Sequence, residues 1–249
     1  VTVDGETDDR TEDSAHDDRI SPRELAIEWH PDALRPNFEW SVALPTDWAV
    51  LQTHPSLWQR QNERIVDDYY GGKRVAARVR RALLRSLEDA VAVTQKNRVL
   101  LTLIRPGVDA EGRIENVALN VMFTSSSPRL ASMAPIRKAL ETKPGTTEEL
   151  TTPSGNAYVV FVRTDEQQDG DTTRESVSVQ AFYPLPSTTW TLVVGTTAPR
   201  PDLTEALRDM VIRLIASVSW GSDAVPTEPA PAADLPDAVS LVSYRVNNG

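Results

Sequence analysis

The chain has 249 residues, of which 40% are hydrophobic, a formal net charge of −10 and no cysteine. Such a polyanion repels nucleic acid before contact forms, and the missing thiols exclude disulfides, thiolate nucleophiles and cysteine metal sites. No apolar run approaches the roughly 18–20 residues that a bilayer-spanning helix needs, so no membrane insertion is expected.

Val1 to Pro22 is mostly Asp, Glu, Thr and Ser without apolar periodicity. Burial there cannot offset the entropy of ordering, so residues 1–22 read as a disordered acidic head. Val1 to Asp18 lacks the basic and apolar regions of a signal peptide. A chain beginning with Val1 fits an alternative start codon or a mature form whose leader has been removed. A cytoplasmic location is the expectation, with export as the alternative.

Residues 23–220 read as a single domain. Phe38, Trp40 and Val42 alternate with polar residues and lead into Pro45, a strand signal. Trp48 to Gln52 reads as a second strand, so the turn at Pro45–Asp47 predicts a hairpin. Ser56 to Gln59 fits a capping box, opening a helix that stops near Gly71–Gly72, where glycine takes a left-handed cap.

The longest helix is predicted over Lys73 to Lys96, with Val75, Val79, Leu83, Leu87 and Val91 as its core stripe. Strands follow at Val99–Arg105, Val117–Thr124, Glu149–Thr151, Tyr158–Thr164, Ser176–Tyr183 and Thr189–Thr196. A middle helix over Pro128–Glu141 interrupts them, with Ser127 as its cap and Pro135 as a break or kink. Asp202 and Glu205 form a second capping arrangement, with Leu203, Leu207, Met210, Val211, Leu214 and Val218 facing inward. Helices at both ends of a run of adjacent strands predict an α+β fold, a mostly antiparallel sheet packed against helices.

Residues 221–249 form the tail. Ala224 to Pro236, rich in Pro and Ala, reads as a stiff extended linker. Beyond it, Val239, Leu241, Val242, Tyr244 and Val246 form a strand-like segment. It either pairs with an exposed sheet edge, the chain's own or a partner's, or remains a frayed end.

The order Phe38–Leu44, Pro45-Thr46-Asp47-Trp48, a late strand Trp190–Thr197 and a closing helix ending in Ser217-Val218 resembles the PsbP/DcrB-like α/β/α sandwich superfamily. The segment from Pro45 through the Arg-rich helix is also similar to uncharacterised actinobacterial proteins encoded near type VII secretion genes. The resemblance spans about Phe38 to Trp220. It implies a non-catalytic binding role, as an assembly factor, a chaperone of a secreted protein or an adaptor, and carries over no catalytic residue.

Catalytic signals are sparse. The three histidines, His16, His30 and His54, lie in the head or before prolines, with no metal-ligand spacing. Neither G-x-S-x-G nor S-x-x-K occurs, and Ser125–Ser127 suits turn and capping bonds better than nucleophilic attack. Gly71-Gly72-Lys73-Arg74 lacks the first glycine and the hydroxyl residue of a phosphate loop and follows a helix rather than a strand. Asp67 and Asp68 point in different directions on one helix, while Glu148–Glu149 and Asp165–Glu166 read as solvated strand ends. No catalytic residue, cofactor site or metal site is assigned.

One polar constellation has geometry behind it. Arg74, Arg78, Arg81 and Arg85 fall at i, i+4, i+7 and i+11 on the long helix, flanked by Lys73 and Arg80. The favoured reading is a solvated face with local ion pairs to Asp67 and Asp68. Two others compete: the acidic head, through Asp8, Asp9, Asp13, Asp17 and Asp18, folds over it, or an acidic segment of another protein docks there. Among the six tryptophans, Trp40, Trp48, Trp190 and Trp220 are expected in core or edge positions. Trp58 and Trp29 are candidates for exposed contact sites, Trp58 being the one assigned to partner binding.

The expectation is therefore a non-catalytic, chaperone-like binding or adaptor protein, associated with a secretion system, that takes a protein partner with an acidic segment. The alternatives are a hydrolase or lyase using scattered carboxylates and a structural subunit of a larger assembly.

Overall fold

The computed structural model describes residues 32–45, 47–54, 57–109, 112–169, 172–221 and 241–246, with 167–169, 172–174 and 241–246 in backbone only. The acidic head, Trp29, the first two histidines, Ser56 and the Pro/Ala-rich linker lie outside the described residues.

Seven antiparallel strands form the main sheet: β2 (Ala49–Leu51), β3 (Leu101–Arg105), β4 (Val117–Ser125), β5 (Thr146–Thr151), β6 (Ala157–Asp169), β7 (Thr172–Pro184) and β8 (Trp190–Ala198). Their order is β2-β3-β4-β8-β7-β6-β5. A smaller sheet, ordered β10-β1-β9, joins β1 (Trp40–Pro45) to β9 (Ser219–Trp220) and β10 (Leu241–Val246). With helices α1 (Trp58–Tyr70), α2 (Ala77–Lys96), α3 (Met133–Leu140) and α4 (Thr204–Ala216), the fold is α+β.

Period-two patterning gives the main sheet two distinct faces. Leu119, Val121 and Phe123 lie opposite Thr196, Val194 and Leu192, and all six are buried on one side. That side packs on α4, through Leu207, Met210, Val211 and Leu214, and on Trp40, Val42 and Leu44 of the small sheet. Each such aliphatic or aromatic burial contributes about 1.5–3 kcal/mol. Trp40 meets Phe123 edge-on at 5.0 Å between ring centroids, so the small sheet is keyed into the main core.

Among the described residues, the opposite face is covered only at its two edges. At the β2–β3 edge, Leu51 and Ile104 pack with Ile65 and Val66 of α1 and with Leu83, Leu87 and Val91 of α2. At the β5–β6 edge, Val159 and Phe161 pack with Leu140 of α3. Between these covers, Asn120, Met122, Gln180 and Val193 stay half-exposed.

Several expectations change. Strands β1 and β2 form no hairpin: β1 pairs with β9 and β10, while β2 pairs with β3. A tight hairpin turn needs residues that accept positive φ, and Pro45-Thr46-Asp47 contains no glycine, so the chain passes from one sheet to the other. Helix α1 begins after Leu57, which makes no side-chain cap bond. It stops where expected, at Gly71, whose φ of 54° and ψ of 40° are left-handed.

Helix α2 begins at Ala77, four residues later than its apolar spacing implies. Two successive positive-φ glycines, Gly71 and Gly72, turn the chain, and residues 73–76 are spent reversing it so that α2 returns along α1. Helix α3 starts at Met133, because Ser126 bonds the Arg129 and Thr189 carbonyls and holds the preceding segment in a turn. Ser127 is thus not its cap. Pro135 neither breaks nor kinks it, since the third helical residue has no intrahelical acceptor for an N–H to lose. Asp202 does not cap α4: it lies in a 3-10 turn, Pro201–Leu203, and its carboxylate pairs with Arg200.

Candidate binding surfaces

The arginines of interest lie on the α1–α2 pair. Arg74 precedes α2 in the reversing segment, so the four-residue stripe is interrupted at its first member. Arg78, Arg81 and Arg85 remain, all exposed, within about 60° of arc at 100° per residue. Among the described residues none of them forms an ion pair; Arg81 Nε only reaches the Ala77 carbonyl at 3.3 Å.

The local pairs use their neighbours instead. Arg80 binds Asp67 at 2.9 Å and Arg64 approaches Asp68 at 3.8 Å. Those two carboxylates are therefore occupied, and the outer arginines are left over. Helix α2 also has no acidic residue in its first turn. Its N-terminal dipole and the guanidinium charges thus add in one place, an arrangement that disfavours the isolated helix and attracts anions. The next turn of α2 brings Glu88 and Asp89, which bound the basic face on its C-terminal side.

Trp58 lies in the first turn of α1, half-buried, packed on the cluster of Ile65, Val66 and Leu84. It also lines a cleft of about 200 Å³ between the two helices, together with Gln59, Asn62, Glu63, Leu84 and Glu88. Asn62 is the feature that reading the sequence missed. Only 2% exposed, it has neither Oδ1 nor Nδ2 hydrogen-bonded. Leaving a buried polar group unmet costs about 1–3 kcal/mol. The available signal was an amide at an apolar position of α1, four residues after Trp58 and three before Ile65.

The segment containing Leu241, Val242 and Tyr244 runs antiparallel along β1, placing them opposite Pro45, Leu44 and Val42. The edge that it meets is the chain's own.

The carboxylates of β5 and β6 are not simply solvated. Glu149 receives two hydrogen bonds from Arg137 of α3, at 2.5 and 2.6 Å, and these hold its carboxyl below the usual range. Glu148, on the opposite face, accepts two from Arg208 of α4, at 3.1 and 2.5 Å. Asp165 pairs with Arg163. Burial raises the Tyr158 hydroxyl, and burial with the neighbouring Tyr69 raises that of Tyr70. Among the described residues there is no group of three or more His, Asp or Glu placed to hold a metal ion, and no helix is long and apolar enough to cross a membrane.

Compared with protein-family models and with curated proteins, the chain matches none.

Proposed function

We propose that this is a non-catalytic adaptor that docks an acidic segment of a partner protein on the outer face of α2. The observation that carries the reading is the set Arg78, Arg81 and Arg85, exposed and without ion pairs among the described residues, while Arg80 and Arg64 take Asp67 and Asp68. On a chain of net charge −10 these guanidinium groups form an island of opposite sign, and their planar forks suit carboxylates. The resemblance to PsbP/DcrB-like proteins, and to proteins encoded near type VII secretion genes, supports a chaperone-like role beside a secretion system.

The test compares wild type with an R78E/R81E/R85E variant. Partners are captured from native lysate with both, and labelled peptides from their acidic segments are titrated by fluorescence anisotropy at low and high salt. The expected result is tight binding to wild type that weakens by about tenfold or more as salt screens the contact, and no binding to the variant. Equal binding by the two proteins rules the arginine face out.

A further inference from the structure

We infer that residues 1–22, the acidic head of this same chain, occupy the arginine face of α2 and compete there with the partner's acidic segment. The inference rests on the proposed function for the face itself and adds its regulation. Residues 1–22 carry eight carboxylates against two arginines, a formal −6 of the chain's −10. Residues 73–85 carry Lys73 and five arginines with no carboxylate, a formal +6. The two stretches are equal and opposite in charge.

The α1–α2 pair does not neutralise that face from within. Asp67 and Asp68 are taken by Arg80 and Arg64, and the first turn of α2 has no acidic residue. Exposed ion pairs are individually weak, so the contact draws on several at once and stays reversible. The head is also long enough. Asp8 to Asp18 lie 14 to 24 residues before Asp32, the first described residue, which is about 45–80 Å of fully extended chain. A domain of about 190 residues has a radius of gyration of about 16 Å and is about 40 Å across, so the head reaches α2. Residues 222–240 match less well. They have four carboxylates, and both ends of the segment are tied to the small sheet, through Gly221 and Leu241.

A tether of this length holds the head at an effective concentration on the order of 1 mM. With an affinity of about 0.1 mM for the face, the head leaves it open about one-tenth of the time. The apparent affinity for a partner then falls by about tenfold.

Two measurements on the full chain test this without any partner. Since the chain has no cysteine, S14C takes a single nitroxide label. Paramagnetic broadening of the amides of residues 77–85 is expected at low salt. It should vanish at about 0.5 M salt and in R78E/R81E/R85E. No broadening in the wild-type background, or broadening that survives in the triple variant, overturns the inference. A mixture of labelled natural-abundance chain with unlabelled 15N chain is expected to show none. Broadening there assigns the contact to a second copy and overturns the competition within one chain.

In the second measurement a fluorescent peptide of residues 1–22 is titrated into wild type and into D8N/D9N/E12Q/D13N/D17N/D18N. The neutralised head vacates the face, so this variant is expected to bind the peptide about tenfold more tightly than wild type. Equal affinity, or no saturable binding to the variant, overturns the inference. Failure to find an acidic partner sinks only the proposed function, whereas a head that stays off the arginines sinks only this competition.

Discussion

Arg137 of α3 grips Glu149 of β5 through both guanidinium nitrogens that face it, Nε to Oε1 at 2.5 Å and Nη2 to Oε2 at 2.6 Å. The adjacent residue, Glu148, points the other way and holds Arg208 of α4. One edge strand thus ties a helix to each face of the sheet, because successive strand side chains alternate.

The Arg137–Glu149 contact gives a pH-dependent stability. The hydrogen bonds from Arg137 lower the folded-state value of the Glu149 carboxyl, so folding favours its ionised form. The stabilisation is fully present above the unfolded value of about 4.3 and is lost as pH falls through the lower folded value. Glu149→Gln is therefore expected to be less stable than wild type at neutral pH. The two melting midpoints should converge as the solution is acidified below about pH 4. Thermal denaturation across an acid series checks this, and a gap that stays constant into strong acid contradicts it.

The arginines of α2 set binding against stability. Arg78 is the second residue of the helix, where its charge opposes the dipole. Arg78→Glu reverses that and is expected to stabilise the protein by about 0.3–1 kcal/mol at low salt. For a chain of this size that is about 1–4 °C in melting midpoint. The same substitution is expected to weaken acidic-peptide binding. Calorimetry and anisotropy on one variant measure both, and loss of stability would show that Arg78 serves the fold.

Strand β10 pairs with β1 along six residues, from Trp40 opposite Val246 to Pro45 opposite Leu241, whereas β9 covers only Trp40 and Ser41. Ending the chain before Leu241 leaves the β1 backbone open along that edge. Hydrogen exchange of β1 amides that face β10 is expected to quicken by about tenfold or more, with β3 and β4 amides unaffected. Unchanged exchange in β1 would mean that the tail does not hold that edge in solution.

By itself the sequence determined the parts whose cause is local. Alternation fixed strand β4 closely, apolar runs fixed β3 and β8, the spacing of Leu83, Leu87 and Val91 fixed the buried side of α2, and Gly71 fixed the end of α1. The same local signals placed Arg78, Arg81 and Arg85 on one exposed arc, since that follows from 100° per residue.

Tertiary structure alone decided what depends on partners distant in the chain. Strands β1 and β2 look like a hairpin locally, yet β1 is claimed by segments about 180 and 200 residues away, Ser219–Trp220 and Leu241–Val246. Glu148 and Glu149 read alike as solvated residues until α3 and α4 bring an arginine to each side of the sheet. Arg80 and Asp67 meet only because α2 folds back along α1, and that pairing is what leaves the outer arginines over. Asn62 is marked in the sequence only as an amide at an apolar position of α1. Its unmet carboxamide exists only because the packing of α1 on α2 shuts water out while leaving the cleft beside it open.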